Sequence, residues 1–321
     1  MKLFPLLVSV LLTLTGGIAQ AADGWPSRPI RFVVAAPAGS SLDLIARTVG
    51  DKLKDRLNQP VIVENVPGAS GTIATAQVAR AVPDGYIMLL SFNGPLAYIQ
   101  FMTKLPYDAQ RDLQPVMLAS SQPNILAVNA NLPTSNLKDL IAYAKAHPGR
   151  LNYASVGNGS SSHLTMELFK SMTGAFLVHI PYNGAPPAAA SVAAGDTQLL
   201  FSVPTVVLPH VRSGKVKALA VTSASRFSLL PDIPTMAEAG MPAFQSLAWN
   251  GVLVPARTPP DIVKRLNTEL NAVIQMNDVK NRLHNAGLEP VGGTPEAFKK
   301  LIDDEAAKWE PVIRKTKAKL D

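Results

Sequence analysis

Two segments of this 321-residue chain gather small hydroxyl residues, glycine and bare backbone in a pattern suited to holding an anion. The first is Pro37-Ala38-Gly39-Ser40-Ser41; the second is Gly157-Asn158-Gly159-Ser160-Ser161-Ser162-His163. Each follows a strand-like apolar run, over 30–36 and 151–156, and each precedes a stretch with helical spacing. Both therefore set hydroxyls and unpaired N–H groups at a helix N-terminus, where the positive end of the dipole points outward. An anion binds such an end without Lys or Arg. Ser40-x-x-Asp43 is also an ordinary capping box, and a single Ser-rich helix start is more often structural than not. Two of them in matched positions favour a shared ligand, and a dicarboxylate held between them is the simplest reading.

Two loops join these candidates. Ser91-Phe92-Asn93-Gly94 and Tyr182-Asn183-Gly184-Ala185-Pro186 each end a strand, the side on which open α/β sheets bind ligands. Asn-Gly by itself signals only a turn. Catalytic readings are weaker. Gly157-x-Gly159-x-x-Ser162 is a partial dinucleotide fingerprint with Ser in place of the third glycine. There is no phosphate-binding G-x-x-x-x-G-K-[ST] and no G-x-S-x-G elbow. None of His147, His163, His179, His210 and His284 has another His four residues away, so a helical zinc pair is absent. His163 follows three serines and has the chemistry of a base, but a cap or pocket donor is the commoner role there. Without cysteine the chain has no thiol nucleophile, thiolate zinc site or iron–sulfur cluster. The sequence implies no metal, no cofactor and no catalytic residue.

The elements that must hold these loops follow a βαβ rhythm. Strands are predicted over 30–36, 59–64 and 86–91, with helices over Ser41–Leu57 and 72–81; Leu42, Ile45, Val49, Leu53 and Leu57 carry the helical spacing of the first. The rhythm restarts with strands over 124–128, 151–156, 176–180, 198–201 and 218–222, and helices over 135–146 and 164–173. A strand over 249–254 and helices over 259–275 and 295–315 close the chain, the first started by Thr258 as N-cap before Pro259. The fold class is α/β, with two lobes that are each a mainly parallel sheet flanked by helices. Lobe 1 is assigned to 23–123 plus 248–321, and lobe 2 to 124–247.

The start reads as a secretory signal peptide over 1–22. Lys2 precedes an apolar run too short to span a bilayer, and Ala19-Gln20-Ala21 supplies small residues for cleavage after Ala21 or Ala22. Export to the periplasm of a soluble chain follows. The net charge of +7 is dispersed, with no basic stripe and interleaved aromatics for nucleic acid. A mildly positive surface suits steering of an anionic ligand.

An ordered series of motifs then resembles the Bug-type solute receptors of tripartite tricarboxylate transporters. It runs through Trp25-Pro26-Ser27-Arg28-Pro29-Ile30, Val63-Glu64-Asn65-x-Pro67-Gly68-Ala69, Pro83-Asp84-Gly85-Tyr86 and Leu105-Pro106-Tyr107-Asp108. Leu151-Asn152-Tyr153-Ala154-Ser155, Gly157-x-Gly159-x-Ser161-Ser162-His163, His179-Ile180-Pro181-Tyr182 and Leu230-Pro231-Asp232-Ile233-Pro234-Thr235 continue it. The resemblance covers the mature chain. It implies a two-lobed, type II-like periplasmic-binding-protein fold that closes on a small organic carboxylate, a di- or tricarboxylate or an aromatic carboxylate, and a monomer that docks membrane permease subunits. A sensory receptor for a membrane kinase is the alternative use, and an exported hydrolase or isomerase a remoter one. The ligand residues it implies are Ala38, Gly39, Ser40 and Ser41; Ser91, Phe92, Asn93 and Gly94; Gly157, Asn158, Gly159, Ser160, Ser161, Ser162 and His163; and Tyr182, Asn183, Gly184 and Ala185, with Asp43 of the capping box a candidate beside them. Two departures stand out. Ser40 occupies a place where relatives commonly have glycine, and Ser202 one where they commonly have Asp. If that Asp meets a ligand ammonium in relatives, its replacement by Ser202 argues against an amino-acid ligand.

Overall fold

The computed structural model describes residues 24–316. The expected signal peptide and its cleavage site lie outside the described residues. The chain opens with β1 (Ile30–Val34), α1 (Ser41–Leu57), β2 (Val61–Asn65), α2 (Thr72–Ala79), β3 (Ile87–Phe92), α3 (Ala109–Asp112) and β4 (Leu113–Pro123). It then builds β5 (Ile125–Asn129), α4 (Leu137–Ala146), β6 (Asn152–Ser155), α5 (Ser161–Thr173), β7 (Val178–Pro181), α6 (Ala185–Ala194), β8 (Leu199–Ser202), α7 (Pro204–Arg212) and β9 (Val216–Val221). The return comprises β10 (Leu247–Pro255), α8 (Pro260–Ile274), α9 (Asn277–Asn285), β11 (Glu289–Gly292) and α10 (Pro295–Thr316).

The strands form two sheets, ordered β11-β4-β10-β3-β1-β2 and β7-β6-β8-β5-β9. In the first, β1 pairs in parallel with β2 and β3, whereas β10 runs against both β3 and β4, and edge strand β11 runs against β4. In the second, β6 is parallel to β7 and β8, and β5 runs against β8 and β9. Most strands of each sheet thus run one way, with one reversed strand, β10 or β5, inserted at the same relative position; the first sheet adds a second reversed strand, β11, at its edge. In each case the reversed strand has just arrived from the other lobe. A chain crossing between lobes enters at the carboxyl ends of the parallel strands, so its first strand must run backwards through the sheet.

Asn124 is the single residue between β4 and β5. Its N–H donates to Thr222 Oγ1 at 2.8 Å, and Thr222 N–H donates back to Asn124 O at 3.0 Å. Thr222 Oγ1 in turn donates to Ser246 O, just before β10. The two crossings are therefore stitched together at one place.

Alternation along the strands fills both faces of the second sheet. Leu126 and Val128 pack in a cluster with Leu140 and Phe169, whereas Ile125 and Ala127 pack with Ala188, Val192 and Val207. In the first lobe, α1 buries Leu42, Ile45, Val49, Leu53 and Leu57, the residues whose spacing predicts it. One start signal is corrected. Thr258 is not an N-cap: its hydroxyl donates to Pro255 O at 2.7 Å, and α8 begins at Pro260 with Pro259 as cap. A residue before proline is pushed out of the helical region, so Pro259 is extended and the helix starts one residue later. Among the described residues, no helix is long and apolar enough to cross a membrane.

Candidate functional site

The two anion-suited loops meet across one cavity between the lobes, about 660 Å³ including its open side. From the first lobe come Ser40, Ser41 and Leu42 at the start of α1, with Ser70, Gly71, Phe92 and Asn93. From the second come Ser161 and Ser162 at the start of α5, with Asn183, Gly184, Ala185 and Ser202. Asn124 at the crossing and Trp249 and Asn250 on β10 complete the lining. Among the described residues, no charged side chain lines it.

The local sequence explains why both helix starts present donors. Ser40 and Ser160 are extended N-caps whose hydroxyls accept Asp43 N–H and His163 N–H. Each cap turns the next two residues into the first helical positions, whose N–H groups have no intrahelical acceptor. Those residues are Ser41 and Leu42 on α1, and Ser161 and Ser162 on α5, and all four line the cavity. Ser161 Oγ accepts from Asn124 Nδ2 at 3.0 Å, so its own proton is free to donate elsewhere. Ser202 Oγ is buried and has no hydrogen-bond partner. The cavity therefore offers two helix ends and unspent hydroxyl protons, a donor set matched to a carboxylate.

Several residues expected at the site turn away from it. Ala38 and Gly39 form an exposed turn, and Asp43 accepts from Gly39 N–H at 3.0 Å and from Arg47 Nε at 2.9 Å. Its carboxylate holds the loop and is not aimed at the cavity. Ser91 points towards Thr75, with 3.3 Å between hydroxyls. Ser160 spends its proton on Gly157 O at 2.6 Å. Gly157, Asn158 and Tyr182 line a separate, outer cavity. Gly159 packs on the first lobe, since a Cβ there would lie 2.5 Å from Ile99 Cγ1. Asn93 lines the cavity, but its amide is engaged with Tyr98 OH, Leu247 O and Gly94 N–H. Asn124, Trp249 and Asn250 carry no spacing signal, being far in sequence from any Ser-rich loop. The signal for Ser70 is present in Pro67-Gly68-Ala69-Ser70-Gly71, a polar loop after a strand.

His163 also lies outside the cavity. Its Nδ1 accepts Gly159 N–H at 3.1 Å, and its ring stacks on His179 at 4.3 Å, which stacks in turn on Tyr153 at 4.7 Å. Burial lowers its pKa to about 4, with the charge of Lys170 adding to the effect. The ring is neutral in the folded protein and braces the loop. An unfolded His titrates near ~6.5, so this stabilisation is complete above that pH and is lost as pH falls towards about 4, up to about 3 kcal/mol. We expect the stability advantage of wild type over His163→Asn to shrink by about that amount between about pH 7 and about pH 4. Urea melts of both proteins across the range test this, and parallel pH profiles would refute it.

Known proteins share this arrangement of sheets. The profile described as Tripartite tricarboxylate transporter family receptor matches residues 45–318. The chain is 33% identical to the periplasmic binding protein BugD, with a TM-score of 0.87 over 92% of this chain and 99% of that one. It is 34% identical to Rpa4515 of R. palustris, solved with adipate, with a TM-score of 0.88 over 91% and 98% of the two chains. MatC from Rhodopseudomonas palustris, with bound malate, is 31% identical, with a TM-score of 0.86 over 90% and 100%. Family profile and fold agree over nearly the whole described chain, which therefore belongs to the tripartite tricarboxylate transporter receptor family, whose members are periplasmic solute-binding proteins and not enzymes.

Proposed function

We propose that this protein captures a small dicarboxylate or aromatic carboxylate between its lobes and delivers it to the membrane permease of a tripartite transporter. The observation that carries this reading is the convergence of two helix N-termini, from opposite lobes, on one charge-free cavity. Adipate and malate, held by two relatives, are both dicarboxylates. In this reading Ser41, Ser161 and Ser202 donate hydroxyl protons to the ligand, with Asn183, Gly184 and Ala185 against it from the second lobe. Lobe 1 (23–123 plus 248–321) and lobe 2 (124–247) close as bodies about Asn124 and the Thr222–Ser246 pairing, and the closed form docks the permease. An amine-free ligand fits best, since no acidic side chain among the described residues lines the cavity to meet an ammonium.

The test begins with protein stripped of retained ligand by unfolding and refolding. A carboxylate at a hundred times its Kd adds about 2.7 kcal/mol to the folded state, which raises the melting midpoint by roughly several degrees. A midpoint left flat by aliphatic and aromatic di- and tricarboxylates alike would sink the reading. Ser41→Ala or Ser161→Ala removes a hydroxyl donor to a charged acceptor, worth about 1.5–3 kcal/mol. At least one of them should lose about tenfold in affinity. If both bind normally, the hydroxyls play no part and backbone N–H groups alone hold the anion.

A further inference from the structure

Beside the inner cavity lies a second, more open one, about 920 Å³ including its open side. Thr103, Lys104 and Leu105 of the first lobe face Asn158 and Tyr182 of the second across it. Ser70 and Asn183 line both cavities, so the two meet at that pair. Lys104 is the one charged side chain among the described residues lining either cavity. It is exposed, and among the described residues it forms no ion pair. In the opposite wall, Asn158 Oδ1 is buried with no hydrogen-bond partner.

The charge balance of the inner cavity gives this vestibule a role. Each helix N-terminus carries roughly half a positive charge, so α1 and α5 together offset about one carboxylate. A dianion leaves a second negative charge uncompensated, and nothing ionised in the inner lining supplies its counter-charge. We propose that the vestibule is a second anion subsite, where the Lys104 ammonium takes the distal carboxylate of an elongated dicarboxylate whose first carboxylate sits between the two helix ends. The subsite rests on the reading of the inner cavity as a carboxylate site. Reach then selects the ligand: a short diacid is held wholly inside, and a longer one extends past Ser70 and Asn183 to Lys104.

Calorimetric titration of wild type, Lys104→Met and Lys104→Glu tests this with straight-chain diacids from succinate to azelate and with their monomethyl esters. In wild type, the affinity ratio of diacid to half-ester should rise with chain length. For the longest well-bound diacid, that ratio should fall about tenfold in Lys104→Met and further in Lys104→Glu, as expected for losing and then reversing one partly solvated charge contact. Raised salt should shrink the wild-type ratio towards that of Lys104→Met. Diacids that bind all three proteins with the same ratio at every length overturn the subsite and leave the inner carboxylate site standing. If no acid or half-ester of the series binds wild type, the subsite falls, and the carboxylate reading falls with it only when aromatic and tricarboxylic acids fail to bind as well.

Discussion

Ser202→Asp is expected to weaken binding of an amine-free dicarboxylate about a hundredfold. Ser202 ends β8 with only 1% of its surface exposed, and its hydroxyl reaches the cavity without a protein partner. A carboxylate there has no cation among the described lining residues to offset it. Like charges ~5 Å apart at an effective dielectric of ~20 repel by about 3 kcal/mol, on the order of a hundredfold in affinity. Protonation of the new Asp softens the effect, so any loss beyond about tenfold supports the argument. A ligand carrying an ammonium gives the opposite sign, because the new carboxylate pairs with it. Titration of both proteins with succinate, glutamate and an aromatic dicarboxylate separates the cases. Glutamate binding wild type more tightly than every amine-free acid would show that Ser202 marks something other than a ligand without an amine.

A comparable loss is expected from Gly159→Ala, for a steric reason. Gly159 lies in the second lobe at φ +73°, and a Cβ on it would sit 2.5 Å from Ile99 Cγ1 and 3.0 Å from Met102 Sδ of the first lobe. The added methyl meets these atoms when the lobes are together. Overpacking of this kind costs about 1–3 kcal/mol, which lowers ligand affinity roughly tenfold to a hundredfold. The left-handed backbone adds about 1–2 kcal/mol for any residue with a Cβ. That second cost falls on open and closed forms alike, and shows as a lower melting point without ligand. Ile99→Ala, combined with Gly159→Ala, reopens the space and should recover most of the affinity while leaving the backbone cost in place. Small-angle scattering with and without ligand follows closure directly. Normal affinity in the single variant, or no recovery in the double, would mean that this contact does not limit closure.

Both effects depend on contacts between residues far apart in sequence, and the same division separates what was legible from what was not. The caps and the first helix are legible because their causes are local. Ser40 and Ser160 each bond an N–H three residues on, and the buried face of α1 repeats within a few residues. The alternation of apolar runs likewise gives two α/β lobes, in which β1, β2 and β3, and β6, β7 and β8, run parallel, while β5, β10 and β11 run against their neighbours. Helices α6 and α7 escape the spacing argument, because Ala185–Ala194 is small and apolar on every side and Pro204–Arg212 contains Pro209.

At the site, sequence determined the chemistry, and tertiary structure decided which groups are spent. The sequence alone supplies two hydroxyl-rich helix starts and a chain without thiols, enough to point to anion capture over catalysis. It does not tell that Asp43 is committed to Arg47 and Gly39, or that His163 faces Gly159 N–H, since both residues have the right chemistry in the right loop. Nor does it bring Asn124 and Asn250 to one wall, or leave Ser202 Oγ without a partner beside them. A cap or a helical stripe is fixed by neighbours within one or two turns. Whether a polar atom is satisfied or free depends on what the rest of the chain packs against it, and only the assembled lobes decide that.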